Sequence, residues 1–468
     1  MNKYRVVIQT GLKFSLLFVV LLTVQFIFGV QSYEYWGDAY EYYQYGCSML
    51  ADGKISLASI ASDFRGYVFP SYMAVCAAFD VFFGITNAYW YLSSALLSIL
   101  FCVYIHFLDL FWPMHYNTKY ERLHKFICEI LPICIVLFFN YGLIVYPLTD
   151  LYAALLIVTS FYALFKGIEK HSGGLFFLSG LFAYFTYNIR TIYLLSAAGF
   201  IYVFVRRYRK RIKVGLTKAM FFCGGILCGG GGQLYLNLLF HKKISIMIET
   251  QSLFSRQLFW GIDNARYATF CGAPEVHTAA MHFYERTGSI ISNYVAESGM
   301  SGSIFSYIKL VLKFPLEFLG IYGRHLINAI FVIYPETYIQ NIDQNRFLYS
   351  ILSLVIVYLF IICLKNLIEL KQLTLDKMVL LLGIVLPDIL ILAGAVEERF
   401  LVLPYMMIYG FLARYGFWKE LIQKIKTRWL YYIAGFVVFS AIALAVETEI
   451  IANLEYTGAM LDTFSGLF

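Results

Sequence analysis

The chain reads as an all-α, polytopic membrane protein. Three observations predict this class: 60% of the 468 residues are hydrophobic and only 14% charged, mean hydropathy is +0.69, and the apolar residues fall in long runs separated by short basic loops. A soluble domain carries about 25% charged residues, and a run of roughly 20 apolar residues is what a bilayer crossing needs. The net charge of +7 calls for no nucleic-acid partner, because Lys and Arg cluster between the apolar runs, as they do in cytoplasmic loops. Cys76, Cys102, Cys128, Cys134, Cys223, Cys228 and Cys363 lie inside apolar runs and no pair has C-x-x-C spacing, so neither a zinc site nor a redox motif is indicated. Cys47 and Cys271 fall in segments expected outside the membrane; they could pair, with two separate thiols the favoured state.

The first crossing is read at residues 11 to 30. Lys3, Arg5 and Lys13 precede it, and no small-residue cleavage site is obvious after it; this predicts a retained helix with a cytoplasmic N-terminus. Residues 31 to 66 are then the first external loop. Apolar runs follow at 67 to 84 and 88 to 112, then a basic loop holding Lys119, Arg122 and Lys125. Further runs at about 127 to 146, 150 to 167, 173 to 189 and 191 to 205 end in Arg206-Arg207-Tyr208-Arg209-Lys210-Arg211-Ile212-Lys213, the strongest cytoplasmic signal in the chain. Parity between the two basic loops leaves only one of the runs 67 to 84 and 88 to 112 able to cross. The run broken by Pro70 and Gly84 is expected to be a juxtamembrane or re-entrant helix.

A span at 219 to 238 carries Cys223-Gly224-Gly225 and Gly229 to Gly232. Such clusters indicate close helix contact or a kink, and the lack of a following Lys-Ser/Thr argues against a phosphate loop. A larger external region extends from about 239 to 340. Within it, residues 304 to 334 mix apolar side chains with Lys309, Lys313, Glu317 and Arg324, which suits a helix along the interface. The last spans are read at about 347 to 364, 378 to 395, 400 to 413 and 429 to 446, giving one transmembrane domain over residues 1–468 in the plasma membrane.

Function is expected where charge is costly. Asp38 and Glu41 lie three residues apart in Gly37-Asp38-Ala39-Tyr40-Glu41-Tyr42, so a helix there puts them on one face. By the topology above Asp38, Glu41, Arg65, Asp150, Arg190, Glu397, Glu398 and Arg399 all fall on the extracytoplasmic side, several at the ends of apolar helices, where ionisable groups mark cavities. Arg65, Arg190 and Arg399 run against the positive-inside bias, and their planar forks suit phosphate oxygens. An anionic lipid head group is the expected ligand, with a carboxylate deprotonating an acceptor hydroxyl as phosphate departs. The competing account of each arginine is a snorkelling anchor or an ion pair with a nearby acid.

An ordered set of local motifs resembles the GT-C membrane glycosyltransferases, in particular the branch related to protein O-mannosyltransferases and lipid A aminoarabinose transferases. Gly37-Asp38-Ala39-Tyr40-Glu41-Tyr42 followed by Gly53-Lys54 is similar to that family's first-loop acid. Phe64-Arg65-Gly66-Tyr67-Val68-Phe69-Pro70 resembles its Arg-x-Pro-x-Tyr-Pro stretch without the first Pro, and Tyr146-Pro147-Leu148-Thr149-Asp150 its second acidic loop. Leu178 to Thr191 is similar to a Gly-rich helix ending in a cation, and Glu398-Arg399-Phe400 with Pro404 to a late Arg-Tyr-x-x-Pro element.

The resemblance implies a GT-C type helix bundle whose external loops carry juxtamembrane helices. It also implies a polyprenyl-phosphate sugar donor, a glycan, lipid or protein acceptor in the cell envelope, and an inverting transfer. Carried onto this chain, Asp38 is the base, Asp150 a second acid near the acceptor or a metal, Arg190 and Arg399 phosphate contacts, and Arg65, Glu41 and Glu398 part of the substrate pocket. Some members use a divalent cation and others do not. No Asp-x-Asp pair stands in the first loop here, so no metal ligand is assigned. Rival readings are an O-antigen polymerase or ligase, suggested by Arg256, Arg266, His277, His282 and Arg286, and a transporter, which should show inverted repeats. An acyltransferase would need a membrane-facing His, for which only His106 offers itself.

Overall fold

The computed structural model describes residues 3–50, 66–112, 121–248, 253–273, 276–282, 285–331, 337–339, 347–369, 374–414, 426–452, 454–455 and 464–467. Its helices in chain order are α1 (Lys3–Phe28), α2 (Gly37–Leu50), α3 (Val68–Phe83), α4 (Ala88–Phe111), α5 (Glu121–Asn140), α6 (Gly142–Val145), α7 (Thr149–Lys170), α8 (Gly173–Ile189), α9 (Ala197–Tyr208) and α10 (Ile212–Leu236). They continue as α11 (Leu253–Asp263), α12 (Glu285–Ser298), α13 (Ile304–Lys313), α14 (Pro315–Ile330), α15 (Phe347–Glu369), α16 (Leu375–Ile391), α17 (Val402–Arg414) and α18 (Trp429–Ala452). Among the described residues seven helical stretches are long and apolar enough to cross a membrane: Ile8–Phe28, Ala88–Phe111, Leu123–Asn140, Thr149–Lys170, Ile212–His241, Phe347–Asn366 and Trp429–Ile450. The molecule is a helical, multi-pass membrane protein. It divides into two compact units, one of Met1–Pro113, Tyr141–Thr250 and Thr374–Pro387, the other of Met114–Asn140, Gln251–Leu373 and Asp388–Phe468.

In the first unit α1 and α4 are antiparallel. Gln25 Nε2, near the end of α1, donates to Ser93 Oγ at 3.1 Å and to Ile144 O at 2.6 Å, and Phe26 packs edge-on against Trp90. The end of α1, the start of α4 and α6 therefore share one end of this bundle. The α3 helix begins and finishes at that same end: Val68 N bonds Asn188 Oδ1 at the close of α8, and Asp80 Oδ1 accepts from Ala88 N at 2.8 Å. Gly84, with φ +62°, makes the turn between α3 and α4. At 16 residues α3 is a short apolar helix, as the break at Pro70 and Gly84 predicts.

The α7 helix forms the core of this unit, and α8 packs against it through reciprocal Ser160–Ser179 bonds of 2.7 and 2.8 Å. The α8 and α10 helices run parallel in close contact. A Cβ on Gly180 would overlap Phe222 O, and one on Gly225 would overlap Phe177 O. In an apolar medium, where burial of oily surface drives nothing, such close approach of small residues is what holds helices together. The basic octet sits at the far end. Arg206 bonds Asp376 there, and Lys218 Nζ donates at 2.9 Å to His171 O, the carbonyl capping α7.

In the second unit α5 and α17 pack through Phe139 and Tyr409, with ring centroids 6.1 Å apart, and α15 meets α17 through Phe360 and Phe411 at 5.6 Å. A separate core gathers Phe259, Ile291, Leu310, Phe318 and Ile321 from α11 to α14. The expected interfacial segment is divided in two. Ser303 caps α13 by accepting from Ser306 N at 3.2 Å, and Pro315 occupies the first turn of α14, where its missing N–H costs nothing. Both helices are apolar on two faces, burying Leu310 and Phe318 while exposing Phe305 and Leu316. A four-stranded sheet of order β3-β1-β2-β4 is built from β1 (Asn264–Ala273), β2 (Val276–His282), β3 (Tyr338–Ile339) and β4 (Leu454–Glu455).

Candidate functional site

The site of the first unit starts from the extended approach to α7. Tyr146 and Leu148 are in β conformation, and the helix begins at Thr149, which puts Asp150 in its first turn. A carboxylate is favoured there by the helix dipole. The α8 helix ends as Arg190 turns extended, its N–H still bonded to Thr186 O. Because α7 and α8 are antiparallel, Arg190 Nη1 meets the Asp150 carboxylate in an ion pair. The burial is lopsided: the Asp150 side chain is 2% exposed and that of Arg190 19%. The carboxylate is covered and neutralised, while the guanidinium keeps an open face. Such a carboxylate orients the arginine and is ill placed to take a proton from a substrate.

Asp38 sits in the first turn of α2, half-buried, after Gly37 at φ +47°; Glu41, one turn on, is exposed. The helix realises the shared face expected of this acid pair. Aromatic contacts join this segment to the Asp150 approach. The Tyr35 ring lies 6.4 Å from Tyr146 and 6.5 Å from Tyr89, and Tyr42 packs edge-on against Phe69, which in turn meets Tyr152. Burial drives the Tyr35 phenol well above its ordinary range and the Tyr43 phenol up to about 12. These hydroxyls therefore stay protonated and neutral. Cys47 is a free thiol whose pKa is raised by burial.

In the second unit Arg399 pairs with Glu397 through Nε and through Nη2 to Oε1 at 3.3 Å, and stacks on Phe400. Three contacts hold the turn that closes α16, just ahead of this pair in the chain: His325 Nδ1 to Leu392 O at 2.6 Å, Tyr307 OH to Ala393 O at 2.9 Å, and Gly261 pressed on Gly394. Burial lowers the His325 imidazole to about 4.

Asp38, Glu41, Asp150 and Arg190 thus belong to one unit, and Glu398, half-buried, and Arg399 to the other. Arg65 lies outside the described residues. The sequence points to Glu398 beside Arg399, whereas Glu397 is the ion-pair partner. Asp80 and the buried amides Asn188, Gln233 and Asn237 announce themselves in the sequence merely as polar side chains in or at the end of apolar runs. Among the described residues no group of three or more His, Cys, Asp or Glu is placed to hold a metal ion. Comparison with family models, with characterised proteins and with solved structures returns no match to this chain.

Proposed function

We propose that the chain is a membrane glycosyltransferase that moves a sugar from a polyprenyl-phosphate donor to a cell-envelope acceptor on the extracytoplasmic side. One observation carries the reading: the Asp38 helix and the Asp150–Arg190 pair are knit together at the end of the first unit opposite the basic octet. Under the positive-inside rule that octet is cytoplasmic, which leaves the acids and Arg190 on the other face. In the proposed step Asp38 takes the proton of the acceptor hydroxyl, and the acceptor oxygen forms a bond to the anomeric carbon. The bond from that carbon to the phosphate oxygen breaks, and the electron pair leaves with the polyprenyl phosphate. A single displacement inverts the anomeric centre. Arg190, oriented by Asp150, receives the charge growing on the phosphate. Glu41, one turn beyond Asp38 on the same helix, is assigned to the same pocket.

The test is turnover of polyprenyl-phosphate sugars by protein purified in lipid nanodiscs. Removing a positioned general base costs about 10²–10⁴ in rate, so Asp38→Asn should lose at least a hundredfold while the protein stays folded. Unchanged turnover in the variant, or no donor consumed by the wild type, would overturn the reading. Identifying the envelope glycan lost when the gene is deleted would name sugar and acceptor.

A further inference from the structure

Three carboxamides cross the first unit as a chain. Asn188 Oδ1 accepts from Val68 N at 2.8 Å, and its Nδ2 donates to Gln233 Oε1 at 3.2 Å, with a longer contact to Tyr184 OH at 3.5 Å. Gln233 Nε2 donates to Asn237 Oδ1 at 3.2 Å, and Asn237 Nδ2 donates to Ser245 O at 2.7 Å and Met247 O at 2.8 Å. All three amides are buried. Amides cost several kcal/mol each to bury unpaired, whereas leucines would pack this apolar interface with no such demand. Their presence points to the backbone groups they serve.

The chain has a direction. Val68 N–H can only donate, and the carbonyls of Ser245 and Met247 can only accept. With both ends pinned, each amide has one allowed orientation; flipping any one sets like poles face to face. The groups at the ends explain what is being held. Gly66 presses on Asn188 so closely that a Cβ would overlap its carbonyl, and this backbone follows directly on Arg65. Asn188 itself is two residues before Arg190. The far end is a strap, residues 242–248, that leaves the π-turn Asn237–His241 carrying Lys242 and Lys243. Its backbone is held again by Tyr184 OH to Ile246 O at 2.8 Å and by Ile248 N to Tyr187 OH at 2.9 Å.

We infer that Asn188, Gln233 and Asn237 are positioning residues, a directional amide relay that keeps Arg190, the start of α3 and the cationic strap in one register. The task assigned to Arg190, holding the donor phosphate, rests on the function proposed above; the relay itself does not.

Hydrogen exchange in nanodiscs reads the relay without any substrate. Gln233→Leu keeps the apolar bulk between α8 and α10 and removes the middle link. The amides of Val68, Met247 and Ile248 should exchange at least tenfold faster while the α7, α8 and α10 interiors stay protected, and the two amides left without Gln233 should lower the melting temperature. Asn237→Leu should release the strap and spare Val68. Unaltered exchange at both ends in Gln233→Leu, or uniform loosening of every helix, would overturn the inference. In the donor assay Gln233→Leu should raise KM severalfold with a smaller change in kcat, since it displaces Arg190 without removing a reacting group. If exchange responds as stated but the wild type turns over no polyprenyl-phosphate sugar, the functional reading falls and the relay stands. Turnover by the wild type with exchange unaltered in Gln233→Leu removes the relay and leaves the functional reading in place.

Discussion

Two half-buried arginines in this protein are satisfied in opposite ways. Arg190 and Asp150 are 40 positions apart and meet because two antiparallel helices bring their ends together. Arg399 and Glu397 are two positions apart and meet within one turn. The first pair is lopsided, 19% exposed against 2%, and the second even, 11% against 10%. A long-range pair ties packing to chemistry: the covered acid closes the bundle end and aims the open arginine. A local pair mostly fixes its own turn, and the second unit has to hold the preceding turn by other means.

The sharpest way to break the comparison is to remove the covered acid. Asp150→Ala takes the carboxylate from a largely buried guanidinium, which costs about 3–5 kcal/mol and should appear as a large drop in melting temperature or loss of folded protein. Removing both partners in Asp150→Leu with Arg190→Met should recover much of that loss, because neither charge is left. A single variant as stable as wild type would mean that the pair does not close the bundle.

His325 tests how the second unit holds that preceding turn. Both ring nitrogens face carbonyls, Nδ1 that of Leu392 at 2.6 Å and Nε2 that of Asn264 at 3.2 Å, and Arg324 is the charged neighbour that adds to the lowering by burial. A neutral ring donates at one nitrogen only, and the shorter contact takes the proton. With a folded pKa of about 4 against 6.5, the unfolded chain binds the proton first as pH falls. The contribution is complete above pH 6.5, is lost progressively between 6.5 and 4, and amounts to about 3 kcal/mol over that range. His325→Gln should flatten the pH dependence of unfolding there. A slope identical in wild type and variant would show that the folded ring is charged and donates to both carbonyls.

Replacing the local acid should do less. Glu397→Gln keeps an acceptor for Arg399 and leaves the preceding turn tied to His325 and Tyr307, so the loss should not exceed about 1.5–3 kcal/mol, the worth of a charged hydrogen bond. An effect matching that of Asp150→Ala would erase the distinction between the two pairs.

Much of this architecture is legible in the sequence because hydropathy and loop charge act over twenty residues at a time. The octet at Arg206 to Lys213 is found at the end of the first unit opposite Arg190, and the glycines at 225 and 229 do mark close helix contact. The break at Pro70 and Gly84 likewise marks the helix that returns to the end where it began. What hydropathy cannot show is pairing. Whether Arg399 takes Glu397 or Glu398 depends on the extended backbone at Glu397, with φ −110° and ψ 144°, which no residue type dictates. The relay joins residues 45 positions apart, Asn188 and Gln233, and single amides in apolar runs carry no period to be read. The small sheet is hidden for a similar reason: among the described residues β1 and β3 pair in parallel through Thr269 with Tyr338 and Phe270 with Ile339.

A third pair sets the lower bound of the comparison. Arg206 bonds both oxygens of Asp376 from Nε at 3.1 and 3.2 Å and from Nη2 at 2.9 Å, and Tyr202 OH adds a bond of 2.6 Å. By geometry it is the best made of the three, yet it is exposed. The Arg206 and Tyr202 bonds hold the Asp376 carboxyl below its ordinary value of 3.8, so whatever it contributes is present above about pH 4 and is lost only as pH falls below that. Water and salt compete for both ions at such a site. Asp376→Asn should therefore lower the melting temperature only slightly at pH 7, and the difference between wild type and variant should shrink further at high salt. A loss at pH 7 as large as that of Glu397→Gln would mean that hydrogen-bond geometry, and not burial, ranks the ion pairs of this protein.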